Sequence, residues 1–210
     1  FELEPDGVLL SFFIGNDFEG QEKRLVSHSH LASLITFVLS LWRKFDGQVV
    51  HASATYDDSA PTFTDEAYLE IELDRSAVFA RGNPELAGRF EEALSHIAEL
   101  KRACDDRNVA LTIVLIPDEM QVSTALQARV VAASGRAPAE FDFSLPNRLL
   151  RARFEKLGID SIDLTPELSA HPPGDGLYRR NDSHWNIAGN ALAARVIAEH
   201  TAARLASAAP

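Results

Sequence analysis

Asp182 and His184 stand two residues apart in Leu177-Tyr178-Arg179-Arg180-Asn181-Asp182-Ser183-His184-Trp185-Asn186-Ile187-Ala188-Gly189-Asn190. In a loop this spacing lets both side chains lie on one side, so the carboxylate accepts from one ring nitrogen. The other nitrogen is left free to act as a base. The same residue types also serve plain structure: Asp182, Ser183 or Asn186 can cap the helix that follows, with Trp185 packed under the loop. Gly15-Asn16-Asp17 is the second candidate. It closes an apolar run, where the Asn16 amide can donate to a developing oxyanion; the alternative is an ordinary turn, since Gly-Asn is common punctuation. Ser27-His28-Ser29-His30 contains a His-x-His pair. No third or fourth ligand stands near it with zinc-like spacing, so it reads as a polar helix start and no metal is expected. His51, His96, His171 and His200 are isolated and read as structural or solvated. Pro117-Asp118-Glu119-Met120-Gln121 follows a strand at its C-terminal end, where it can line the pocket, and has no assigned chemistry.

The elements that must position these residues follow from hydrophobic periodicity. Val8 to Ile14 is a continuous apolar run ended by Gly15, which predicts a strand buried on both faces in the middle of a sheet. Leu111 to Ile116 stops at Pro117, and Ile159 to Leu164 stops before Thr165-Pro166. These are candidate parallel strands. Leu86, Phe90, Leu94, Ile97, Leu100 and Cys104 recur at steps of three and four, so that helix turns an apolar stripe toward the sheet. Leu25 to Trp42, Val122 to Ala133, Leu149 to Leu157 and Ile187 to Leu205 read as further helices. The order β, α, α, β, α, α, β, α is that of an open α/β sheet, and it puts the Asn16 turn and the His184 loop at the same end of the sheet.

Residues 46–81 interrupt the pattern. Asp57-Asp58-Ser59-Ala60-Pro61 is turn chemistry, and Tyr68-Leu69-Glu70-Ile71-Glu72-Leu73 alternates with period two. This is expected to be an inserted loop with a short β-ribbon, placed either to contact substrate or as surface elaboration. A strand as apolar as Val8 to Ile14 wants neighbours on both edges, yet only two other strands follow it. One or two further strands are therefore expected upstream.

These blocks carry a resemblance. Pro5 to Phe18, with Gly15-Asn16-Asp17 after its strand, resembles the third sequence block of the SGNH/GDSL hydrolases. Asp182-Ser183-His184-Trp185 resembles their last block, in the Asp-x-His-Trp form also seen in alginate-type polysaccharide O-acetyltransferases and acetylesterase-like proteins. The likeness runs through most of the chain, including Ile162-Asp163-Leu164-Thr165-Pro166. It implies a flavodoxin-like, three-layer α/β sandwich with a mostly parallel sheet, spanning residues 1–210 as the C-terminal part of an SGNH domain. It further implies that His184 is the general base, Asp182 its orienting acid and Asn16 an oxyanion donor, with Gly15, Asp17 and Trp185 contacting substrate. The family's Gly-Asp-Ser block, which supplies the nucleophilic serine, is absent from the 210 residues, so the attacking hydroxyl is expected from polypeptide outside them. The commoner spacing is Asp-x-x-His; here Asn181 occupies that place and Asp182 stands one residue nearer the histidine.

The activity implied is serine-dependent ester hydrolysis of an acyl or acetyl ester, without metal or organic cofactor. The alternatives are O-acetyl transfer to a saccharide, or a saccharide-binding module of the same fold without chemistry. Composition bounds the rest. Lys and Arg number 20 and Asp and Glu 31, giving a net charge of −11, a field that repels phosphate backbones and anionic lipid. Nucleic acid is not an expected partner; a small-molecule or saccharide ester is. No stretch approaches the roughly 18 apolar residues of a membrane span. One cysteine, Cys104, forms no internal disulfide and leaves the redox compartment undiagnosed. The resemblance points to a bacterial protein working outside the cytoplasm.

Overall fold

A computed structural model of the chain describes residues 4–18, 60–171 and 176–208. The helix read at Leu25 to Trp42, the Ser27-His28-Ser29-His30 segment and His51 lie outside the described residues. The three strands form one parallel sheet: β1 (Gly7–Phe13), β2 (Ala110–Ile116) and β3 (Asp160–Asp163), in the order β1-β2-β3. β1 pairs with β2 from Gly7 opposite Ala110 to Phe13 opposite Ile116, and β2 pairs with β3 from Thr112 opposite Asp160 to Leu115 opposite Asp163. The helices are α1 (Asp65–Arg75), α2 (Pro84–Asp105), α3 (Glu119–Val122), α4 (Thr124–Ser134), α5 (Leu145–Leu157), α6 (Thr165–Ser169) and α7 (Ile187–Ala208). This is the expected α/β architecture.

The pleat sorts the side chains into two cores. Val8, Leu10 and Phe12 point to the same face as their partners Leu111, Ile113 and Leu115, and pack with Leu86, Phe90, Leu94, Ile97 and Cys104 of α2. The helical stripe read from the sequence is thus the buried one. Val114 points the other way, to Ile162, Leu177, Tyr178 and Ala193 of α7. Helices on both faces of a parallel sheet make the three layers.

Among the described residues β1 pairs with β2, β2 is central, and Leu9 is 51 % exposed; the free edge of β1 is where the further strands expected from its apolar composition would pair. One expectation is corrected. The ribbon expected at Tyr68 to Leu73 is helical, part of α1. Alternation over six residues also satisfies an i, i+4 pattern: Tyr68 and Glu72 are buried, with Leu69 and Leu73 packed against the same core. The Thr64 hydroxyl, accepting from the Ala67 N–H at 3.1 Å, caps the start, with Asp65 and Glu66 in the first turn. α5 also begins four residues earlier than its periodicity suggested, because Pro146 sits in its first turn, where its missing N–H costs nothing.

Candidate active site

The C-terminal ends of the strands carry the candidate residues. Pairing of β1 and β2 extends one step further, where the Ile14 N–H donates to the Ile116 carbonyl at 2.9 Å; the chain then turns through Gly15, Asn16 and Asp17. Phe18 anchors this turn. Its ring lies 5.1 Å from Phe12 and 5.5 Å from Phe90 of α2, and it is 1 % exposed. The Asp17 carboxylate accepts the Phe13 N–H at 2.7 Å and the Asp17 N–H returns to the Phe13 carbonyl at 3.1 Å. Asp17 is therefore occupied in closing the turn, while Asn16 is exposed. Gly15 is required by a close approach: a Cβ there would stand 2.5 Å from Asp118 Oδ2 and 2.6 Å from the Phe13 ring.

The second loop is built as a short clamp ahead of α7. Tyr178 and Trp185 form an antiparallel bridge, the Arg179 N–H donates to the His184 carbonyl at 2.9 Å, and the Asn186 N–H donates to Leu177 at 2.9 Å. Asn186 caps α7 by accepting the Gly189 N–H at 2.9 Å, so the capping role falls to Asn186 and leaves Asp182 for other work. Gly189 lets the helix start pass under the loop, since a Cβ there would lie 2.2 Å from the Leu177 carbonyl oxygen. The Tyr178 hydroxyl donates to the Pro117 carbonyl at 2.8 Å, which fastens the loop over the end of β2. Trp185 is half-buried against the α7-side core.

Within this loop the carboxylate and the imidazole meet. Asp182 Oδ1 lies 2.6 Å from His184 Nδ1 and also accepts the His184 backbone N–H at 3.0 Å. The carboxylate is 3 % exposed, whereas the imidazole side chain is 83 % exposed. Burial opposes ionisation of Asp182, but the Thr62 hydroxyl and the His184 ring and backbone donors outweigh it and hold the carboxyl below its ordinary range. An acceptor at Nδ1 selects the tautomer protonated there, leaving Nε2 as the open base.

A buried polar group that sequence reasoning missed lies between the two loops. Glu72 of α1 and Asp118 after β2 are both fully buried; Arg75 is 3.1 Å from Glu72 and 3.8 Å from Asp118, with its guanidinium over the Phe13 ring. Burial, reinforced by the Asp118 charge, pushes the Glu72 carboxyl up to about 9, and burial also raises Asp118. Glu72 Oε2 and Asp118 Oδ2 take no other donor among the described residues, and one proton shared between the carboxyls satisfies both. Alongside, the Tyr68 hydroxyl donates to Glu119, whose carboxyl is pushed up to about 7, chiefly by burial, with Asp182 among the charges acting on it. Asp118 also closes a capping box with Gln121, whose amide donates to Asn147 Oδ1 at 2.7 Å; Asn147 in turn donates to Asp163 at 2.9 Å. Pro117 to Gln121 thus organises the strand ends. The only sequence signal was its position after a strand, and reading α1 as a ribbon hid Glu72 and Tyr68.

The structure therefore brings Asp182 and His184 into direct contact. It joins the Asn16 turn to the same end of the sheet through Gly15, against Asp118. His200, read as isolated, is 2.9 Å from Asp160 at the opposite end of β3. Among the described residues no group of three or more His, Cys, Asp or Glu side chains is arranged to hold a metal, and no helix is long and apolar enough to cross a membrane.

The family model described as SGNH hydrolase-like domain, acetyltransferase AlgX, matches residues 76–210. The chain belongs to this SGNH hydrolase-like family. The match begins just after α1 and takes in β2, β3 and the Asp182-x-His184-Trp185 loop. SGNH-like membership accords with the open parallel sheet flanked by helices. No curated protein and no solved structure matches the chain.

Proposed function

We propose that this SGNH-like domain carries the base, its orienting acid and an oxyanion donor of a serine-dependent acyl transferase that moves an acetyl or other acyl group between an ester and a saccharide hydroxyl. The observation that carries the reading is the Asp182–His184 pair, 2.6 Å apart and set over the strand ends with the ring nitrogen Nε2 open. A serine hydroxyl supplied by polypeptide outside these 210 residues attacks the ester carbonyl. His184 takes its proton and returns it to the leaving alcohol; Asp182 steadies the imidazolium; the Asn16 amide donates to the tetrahedral oxyanion. The acceptor hydroxyl then repeats the sequence in reverse, with Gly15, Asp17 and Trp185 bordering the substrate. The family description favours acetyl transfer over hydrolysis.

The hydrolase-like part of the family description supports a second reading, in which water is the acceptor and the protein is an esterase. Product analysis with an acetyl-ester donor, with and without a saccharide acceptor, separates the two: acetylated saccharide means transfer, free acetate alone means hydrolysis. In protein carrying the nucleophile, His184→Ala is expected to lower either rate by about 10³-fold or more. Asn16→Ala is expected to cost on the order of 10²–10³-fold. Near-native turnover of the first variant removes His184 as base; near-native turnover of the second returns Asn16 to the role of a turn residue.

A further inference from the structure

We infer that Thr62 is a positioning residue for the Asp182–His184 pair, acting through a hydrogen bond from its hydroxyl to the far oxygen of Asp182. The Thr62 hydroxyl is 2.6 Å from Asp182 Oδ2, and since an ionised carboxylate only accepts, Thr62 donates. The two carboxylate oxygens are thereby divided. Oδ1 serves His184, taking its backbone N–H at 3.0 Å and facing its Nδ1 at 2.6 Å, while Oδ2 is held by Thr62 and by Arg179 at 3.3 Å.

The need for such a hold follows from burial. The imidazole is 83 % exposed, so little packing orients it, and its direction rests on Asp182. Asp182 is buried, and its own plane is set by what binds Oδ2. Thr62 is carried there by backbone pairing rather than by a flexible tether: the Thr62 N–H donates to the Arg180 carbonyl at 3.1 Å and the Phe63 N–H to the Asn181 carbonyl at 3.3 Å. Asn181 answers with its side-chain amide, donating to the Phe63 carbonyl at 3.1 Å and to Asp65 Oδ1 at 2.7 Å. Asn181 adopts φ 48°, the left-handed region that Asn tolerates better than most residues. The lead-in to α1 and the His184 loop thus form one hydrogen-bonded unit, with the Thr62 hydroxyl at its centre. A Thr at 62 pins the carboxylate without adding charge, which keeps Asp182 ionised and the proton on Nδ1.

This inference rests on His184 acting as the base, yet its first readout needs no turnover. Ring ¹⁵N spectra of the 210-residue chain, recorded near about pH 8.5 where an imidazole is ordinarily neutral, report the His184 tautomer. The native chain is expected to show the Nδ1-protonated form. Thr62→Val should shift the population toward the Nε2-protonated form, and Thr62→Ser should restore it. Thr62→Ala supplies the same reading if the valine variant fails to fold. A native tautomer pattern in the Val or Ala variant overturns the inference. In protein carrying the nucleophile, Thr62→Val should lower kcat by between about 10-fold and 10²-fold with KM nearly unchanged, with Ser again restoring it. An unchanged kcat also overturns it. Should His184→Ala leave turnover intact while Thr62→Val alters the tautomer, the functional reading fails and the positioning role stands.

Discussion

At the scale of single residues, the most consequential feature is how differently two buried carboxyl groups are treated. Asp182 is buried but surrounded by donors and stays ionised; Glu72 is buried against Asp118 and keeps its proton. Both follow from the rule that burial raises a carboxyl unless hydrogen bonds or cations favour the charged form more strongly. The consequence for stability has a definite sign. Glu72 releases its proton near 4.5 when unfolded and near 9 when folded, so between those values the folded state binds the extra proton and stability falls as pH rises. Below about 4.5 its contribution is fully present, and above about 9 it is lost. Glu72→Gln should flatten the decline in melting temperature between pH 5 and pH 9 while still donating to Asp118. Parallel melting curves for native and variant protein across that range would show that Glu72 is not the proton holder.

Elements are joined at this site by close backbone approaches, and here glycine decides. α7 starts beneath the loop that carries His184, and Gly189 leaves no room for a methyl group beside the Leu177 carbonyl. Because that obstacle is backbone, it cannot swing aside. Gly189→Ala should therefore destabilise by roughly 1–3 kcal/mol, a fall in melting temperature on the order of 5 °C for a chain of this size. It should also loosen the Asp182–His184 pair. An unchanged melting temperature would mean that the helix start can shift to make room for the methyl group. The turn after β1 has a comparable constraint at Gly15, but there the neighbours are the Asp118 and Phe13 side chains, which have more freedom to move.

For the whole molecule, the sheet works as a bench whose C-terminal edge gathers three different segments: the turn after β1, the capping box after β2, and the loop before α7. The two cores on either face make that edge rigid, and the polar network from Asp118 through Gln121 and Asn147 to Asp163 ties β2 to β3 where the chemistry is proposed. The nucleophile belongs to this scale too. The 210-residue chain is expected to remain unlabelled by a fluorophosphonate probe that reacts with activated serines; stoichiometric labelling would place the nucleophile within it, and Ser183 would be the first residue to substitute.

The parts of this protein legible in its residues were the local ones. Strand stops at Gly15 and Pro117, the α2 stripe from Leu86 to Cys104, and the two-residue spacing of Asp182 and His184 are all written within a few positions of one another, where period and turn chemistry act. The misreading also has a local cause: a six-residue alternation cannot separate a ribbon from α1. Thr62 reaching Asp182, 120 positions away, and the burial of Glu72 together with Asp118 beside Arg75 have no local signature. Such contacts arise only when the sheet closes and burial removes water, because only then does a polar atom have to find its partner inside the protein.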